Sequence, residues 1–166
     1  MIKNTTVTTL SHNLKKIRLV HHLTQHDFAS IIHKHRVYIC ELENASRNPS
    51  FDTLYQISYY IKIPLSTLLA PCTCRILEQY PCLEATEKLL DSSSDRNMNL
   101  LVGRAIRTRR KKKHFSQSKL ATLTHVHRVH LSNIECGKTS PTLKLLDSIA
   151  DSLGCETWEL MEELPN

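Results

Sequence analysis

Apolar side chains recur along this chain at intervals of three and four. Leu10, Leu14 and Ile17 form one set, Phe28, Ile31 and Ile32 a second, Ile39 and Leu42 a third, and Leu54, Ile57 and Ile61 a fourth. Residues so spaced share one face of a helix, so each set predicts an amphipathic helix. A fifth is predicted near residues 66–69. The series then starts again with Val102 and Ile106, Leu120 and Leu123, Leu131 and Ile134, then Leu143, Leu146, Ile149 and Leu153, and last Trp158 and Met161. Glycine is scarce while Leu, Ile, Lys and Glu are common, which favours helices over a turn-rich β architecture. The expected fold class is all-α.

The second series is a copy of the first. Residues 10–69 align without a gap onto residues 102–161 at a constant offset of 92, with 13 of 60 pairs identical, and HKHRV at 33–37 returns as HVHRV at 125–129. A gapless match of this length implies the same fold twice. Thr24 and Ser116 stand where an N-cap hydroxyl would open the second helix, and Pro49 and Pro141 mark the break before the fourth. Two domains are therefore expected, at residues 1–70 and 99–166. Residues 71–98 have linker composition, with Pro71, Pro81, serines at 92–94 and the flanking Asp91 and Asp95. That segment is long for a structureless loop, so part of it is expected to be ordered, with a short helix around residues 83–90.

Charge turns the question from fold to partner. The formal net charge is +6 and the pI about 9.1, unevenly spread. Residues 1–70 hold 8 Lys and Arg against 4 Asp and Glu, residues 71–98 hold 3 against 5, and residues 99–166 hold 11 against 7. No carboxylate occurs between Arg96 and Ile134, a stretch that includes Arg104, Arg107, the run from Arg109 to Lys113, Lys119 and Arg128. Such a field attracts a polyanion. The sequence has neither an 18-residue apolar run nor a secretory pattern at its N-terminus, so no membrane association is expected, and the chain is read as cytoplasmic and nucleoid-associated. Outside a secretory context the six cysteines are expected to be free thiols. Cys72, Cys74 and Cys82 lack the two-residue spacing of a zinc knuckle, so no metal and no cofactor is expected. A phosphate-binding glycine loop, an HExxH motif and a supported nucleophile–base pair are all missing, and the chain is not expected to be an enzyme.

About three residues, 33–35 and 125–127, separate the second and third helices of each unit. In that arrangement the later helix enters the major groove. Around it the first unit carries LTQHDFA at 23–29, ICELE at 39–43 and PSFDTL at 49–54, and the second carries FSQSKLA at 115–121, LSNIE at 131–135 and PTLKLL at 141–146. Both units thereby resemble the phage-repressor, Cro-like helix-turn-helix family of xenobiotic-response-element type. The resemblance implies two tandem five-helix, lambda-repressor-like domains joined by a partly ordered linker. It implies double-stranded DNA as the partner and a prokaryotic transcription regulator of repressor type, with recognition helices at about 36–44 and 128–136.

The resemblance also implies residue roles. Gln25 and Gln117 open the second helix, where backbone N–H groups and a side-chain amide grip a phosphate. On the recognition helices Val37 or Ile39 faces inward with Leu42, and Leu131 faces inward with Ile134. The resemblance puts Arg36, Val37, Tyr38 and Glu41 at the base-reading positions of the first unit and Arg128, Val129, His130 and Asn133 at those of the second. Arginine pairs with guanine, asparagine with adenine and glutamate with cytosine, and valine touches a thymine methyl. Plainer alternatives stand beside these roles: the arginines bind phosphate, and Glu41 is an intramolecular ion-pair partner. After the recognition helices come polar loops at residues 46–48 and 138–140, which in this family run along the DNA backbone, with Arg47 and Lys138 as their charges. Glu43 and Glu135 are read as structural, because a carboxylate facing phosphates would be repelled. The basic run at 109–113 reaches phosphates or complements the dipole of its helix.

Two departures from the family pattern stand out. The family usually has glycine where His33 and His125 stand, at positive φ, and the first unit lacks glycine altogether, placing Ala45 where the second has Gly137. The second unit is therefore the closer match. One recognition helix reads few base pairs, so such proteins present two, usually as a homodimer; this chain either acts as a pseudo-dimer on two adjacent half-sites or dimerises and offers four reading heads. The differing readers predict related but non-identical half-sites. The alternative is an antitoxin-like or adaptor regulator in which one domain mainly contacts a protein partner, with Tyr55, Tyr59 and Tyr60 as its surface.

Overall fold

The computed structural model describes residues 6–71, 92–162 and 164, with the backbone alone for residues 92–97. The helix expected at 83–90 and the Cys72, Cys74 and Cys82 cluster lie outside the described residues. The first repeat folds as α1 (Thr6–Val20), α2 (Gln25–Ile31), α3 (Arg36–Glu43), α4 (Phe51–Ile61) and α5 (Leu65–Leu69). The second folds as α6 (Ser92–Lys112), α7 (Gln117–Leu123), α8 (Arg128–Glu135), α9 (Leu143–Leu153) and α10 (Thr157–Met161). Each copy thus has the five expected helices. α6 begins inside the segment read as linker and buries Met98 and Asn99.

Local chemistry starts and stops these helices. The Thr24 side chain accepts a hydrogen bond from the Asp27 N–H, and the Asp27 carboxylate accepts one from the Thr24 N–H, a reciprocal capping box. Ser116 caps α7 through the Lys119 N–H and Ser50 caps α4 through the Thr53 N–H. At the far ends the backbone turns left-handed at residues 22, 33, 45 and 62 and again at 114, 125, 137 and 154, with φ between 52° and 69°. Two hydrogen bonds close each exit. After α2, His33 N–H donates to the Ser30 carbonyl (3.2 Å) and Lys34 N–H to that of Ala29 (2.9 Å). After α7, His125 donates to Thr122 (3.3 Å) and Val126 to Ala121 (3.0 Å).

The buried faces follow the spacing read from the sequence except at Leu123, which ends its short helix exposed to solvent, and the buried side chains of both units join in one cluster. The units meet through equivalent segments. Phe51 N–H donates to the Pro141 carbonyl (2.8 Å), Leu143 N–H donates to the Pro49 carbonyl (2.9 Å), and Ser50 and Thr142 form an antiparallel bridge between them. A second reciprocal pair flanks the first: Asp52 N–H donates to Ser140 Oγ (3.0 Å) and Lys144 N–H to Asn48 Oδ1 (3.1 Å). Every partner in these bonds is matched by its counterpart 92 positions away. Around this seam α5 packs against its own counterpart α10, while α4 meets α6 and α1 meets α9. A surface that pairs with its own copy is the mark of an isologous two-fold contact. Here both copies belong to one chain.

Candidate nucleic-acid interface

Each recognition helix turns one face inward. α3 buries Ile39 and Leu42, and α8 buries Leu131 and Ile134. Of the two inward candidates in the first unit, Ile39 is the one buried, and Val37 faces out. Arg36, Val37, Arg128 and Val129 are exposed, and Tyr38, Glu41, His130 and Asn133 are half-buried beside them. Val37 is 59% exposed and Val129 53%, so neither supplies core packing to its own helix. An identical Arg–Val pair opens both helices on the solvent side.

A buried triad holds each recognition helix at a set angle. Arg18 of α1 donates from Nε to Glu43 Oε1 (2.6 Å) and from Nη2 to Oε2 (3.0 Å), and Gln25 Nε2 donates to the same Oε2 (3.0 Å). The second unit repeats this with Arg110 and Glu135 (2.6 and 2.9 Å) and Gln117 (2.8 Å). The third arm of each guanidinium donates to a loop carbonyl, Leu23 at 2.9 Å and Phe115 at 2.7 Å. A bidentate arginine–carboxylate pair has one preferred geometry, so it ties the first helix, the start of the second and the end of the third together. Burial pushes the Glu43 carboxyl up, but the hydrogen bonds from Arg18 and Gln25 outweigh it and hold the group below its ordinary value. Hydrogen bonding to Glu43 raises Arg18, and to Glu135 raises Arg110.

The triad shows Glu43 and Glu135 to be structural and supplies the arginine partners that sequence reasoning missed. The signal was present: Arg18/Arg110, Gln25/Gln117 and Glu43/Glu135 are three of the thirteen identities. The glutamine amide donors point at these carboxylates, and of the first-turn backbone N–H groups of α2 and α7 those of Asp27 and Lys119 are taken by the Thr24 and Ser116 caps. The basic run divides. Arg109 donates to the Glu159 carbonyl (2.9 Å), Arg110 is buried in the triad, and Lys111, Lys112 and Lys113 are exposed at the end of α6.

The two reading faces differ. In the first unit the Arg47 guanidinium pairs with the Glu41 carboxylate and lies over the Tyr38 ring, 4.3 Å from its centroid. Three residues expected to face DNA thus engage one another. In the second unit their counterparts are His130, Asn133 and Thr139, and the exposed cations are Arg128 and Lys138. The three tyrosines of α4 do not form one open patch: Tyr60 is buried edge-on to the His33 ring (4.9 Å), while Tyr55 packs against the core. The loop ends Asn48 and Ser140, expected to run along DNA, reach across to the opposite unit.

Among the described residues no helix is long and apolar enough to cross a membrane. A Cro/C1-type helix-turn-helix family model matches residues 14–68 and again residues 106–159, about two thirds of the chain. No curated protein and no solved structure matches it significantly. Each matched segment encloses one triad, one pair of helix exits around the turn and one outward Arg–Val pair. The chain belongs to the Cro/C1-type helix-turn-helix family, in two tandem copies, and is a double-stranded-DNA-binding regulator.

Proposed function

We propose that this regulator is a repressor that binds a single operator as a pseudo-dimer, α3 and α8 each entering the major groove of one half-site. The observation that carries the reading is the reciprocal pairing of residues 48–52 with 140–144. It relates the two recognition helices as a homodimer relates those of its subunits. Arg36 and Arg128 with Val37 and Val129 read what the half-sites share. Tyr38 and Glu41 against His130 and Asn133 read what they do not. First-turn N–H groups at Gln25 and Gln117 hold phosphates, assisted by Lys138 and, when it leaves Glu41, by Arg47. The covalent link supplies the second reading head at high effective concentration, so no second chain is required.

Selection of duplexes from a random pool with the full chain, followed by native mass measurement of the complex, tests this. One chain per duplex is expected, on two related half-sites with centres about one helical turn, roughly 10 base pairs, apart. Two chains on a perfect palindrome would sink the reading. So would a footprint one unit long, which would instead assign the other unit to protein contact.

A further inference from the structure

The approximate two-fold builds the same junction twice, and the two junctions are chemically unlike. At one, Asp147 of α9 accepts hydrogen bonds from Thr157 (2.6 Å) and from the side chain and backbone of Thr6, which latches α9 to the start of α1. At the other, the counterparts of these three residues are Tyr55, Leu65 and Met98. The side chains of Leu65 and Met98 supply no donor and Tyr55 supplies no carboxylate, so the side-chain latch is not repeated there. A cavity of about 410 Å³ stands in this second junction, with Ile63, Leu65, Met98 and Met161 along it, flanked by Tyr55, Tyr59 and the exposed Lys62. That volume falls within the usual range for small-molecule sites, which form preferentially where domains meet. Among the described residues, Lys62 is the one charged residue lining it. The matching depression of the latched junction is lined by Asp151, Glu156 and Glu159, with the Lys113 ammonium already set beside Gly154.

We propose that the unlatched junction binds a small aromatic carboxylate, one per chain, with its acid at Lys62 and its ring against the methionines and tyrosines. Thioethers and aromatic edges suit a flat π-system. The walls come from α4 and α5 of one unit and α6 and α10 of the other, so an occupant touches both. Its binding favours one relative placement of the recognition helices and thereby alters operator affinity, a second step that rests on the pseudo-dimer reading above. Coupling of this kind is reciprocal: operator DNA changes ligand affinity by the same factor.

Calorimetric titration of the full chain with 2-naphthoate, and with uncharged 2-naphthamide, tests the site without DNA. One saturable site is expected, with the acid bound about fivefold more tightly than the amide, the size of an exposed ion pair. Lys62→Gly should abolish that preference without lowering the melting temperature, because residue 62 sits at φ 53° where glycine is at ease. Met98→Trp, which fills the cavity, should remove binding of both probes. No saturable binding, or a preference for the acid that survives Lys62→Gly, overturns the site. With binding established, a 2-naphthoate affinity unchanged by operator DNA overturns the coupling alone, and a failure of the pseudo-dimer reading appears separately as a changed stoichiometry on DNA.

Discussion

The helix exits set the two units side by side. Four times in each unit the chain leaves a helix through a left-handed residue, at positions that correspond one for one. The first unit puts His22, His33, Ala45 and Lys62 there, and the second His114, His125, Gly137 and Gly154. A residue with a Cβ pays roughly 1–2 kcal/mol for that backbone region, so the first unit carries two penalties that the second avoids. The second unit has turned the freedom into closeness. A Cβ on Gly103 would lie 2.3 Å from the Ile134 carbonyl oxygen, and one on Gly137 would lie 2.6 Å from the Leu100 Cα. There the first helix and the end of the recognition helix pack backbone to backbone. The same seam in the first unit must accommodate the side chains of Ser11 and Ala45. One fold thus tolerates a tight and a loose mounting of its reading head.

The largest expected effect addresses what the units share. Arg110→Ala leaves Glu135 buried and unpaired and should cost about 3–5 kcal/mol in urea unfolding. Arg18→Ala should cost a similar amount, and a loss below about 1 kcal/mol in either would break the claim that the triads are equivalent mounts. Next come the exits themselves. Gly137→Ala adds left-handed strain to a backbone clash and should destabilise by roughly 3 kcal/mol, whereas Ala45→Gly should stabilise by about 1 kcal/mol. Equal and opposite effects would show that conformation matters and closeness does not.

Smaller effects concern DNA. Arg128→Ala should weaken specific binding by about 1–3 kcal/mol and relax one position of its half-site in a binding assay. Glu41→Gln frees Arg47 for phosphate, and the slope of log affinity against log salt should steepen by about one unit. An unchanged slope would leave Arg47 as a local clamp on Tyr38. The smallest effect is on pH dependence. Burial pushes the Asp147 carboxyl up, against the hydrogen bonds from Thr157 and Thr6. A raised carboxyl takes up a proton on folding, so its contribution favours the folded state below the ordinary carboxylate value, about 3.9, and is lost as pH rises through the raised one. Asp147→Asn should therefore raise the melting temperature at neutral pH and flatten its dependence in the mildly acidic range. A lower melting temperature at pH 7 would mean that the latch needs the charge.

The thirteen identities show what a single sequence can disclose. Leu54, Ile57 and Leu68 are core positions and were legible from spacing, since burial follows a helical period. His33 and His125 were legible as positive-φ positions because the turn between the two helices requires one. Arg36 was legible as an outward residue and is exposed, whereas spacing alone left Val37 and Ile39 to compete for the inward position that Ile39 takes. Pro49 and Pro141 were read only as helix breakers. Their carbonyls in fact accept the hydrogen bonds that join the units, because a proline keeps its acceptor when it lacks a donor. Pairing between distant segments has no period and leaves no local mark. Glu41 was legible as an ion-pair partner, but its choice of Arg47 and the cavity in the unlatched junction were hidden for the same reason: each depends on which side chains happen to meet.

The joining of unlike halves in one chain gives the bound molecule a left and a right. A homodimer sits on its site equally well in either sense, and its occupancy falls steeply on dilution as the subunits part. On the proposed pseudo-dimer reading this chain has nothing to part, so its occupancy follows its own concentration to the first power. On the same reading the half with the Glu41–Arg47 pair and the half with Asn133 and Lys138 favour different base pairs, and an asymmetric operator orients the protein. One particular unit then faces the neighbouring promoter, and reversing the operator, with no change of sequence within it, would present the other.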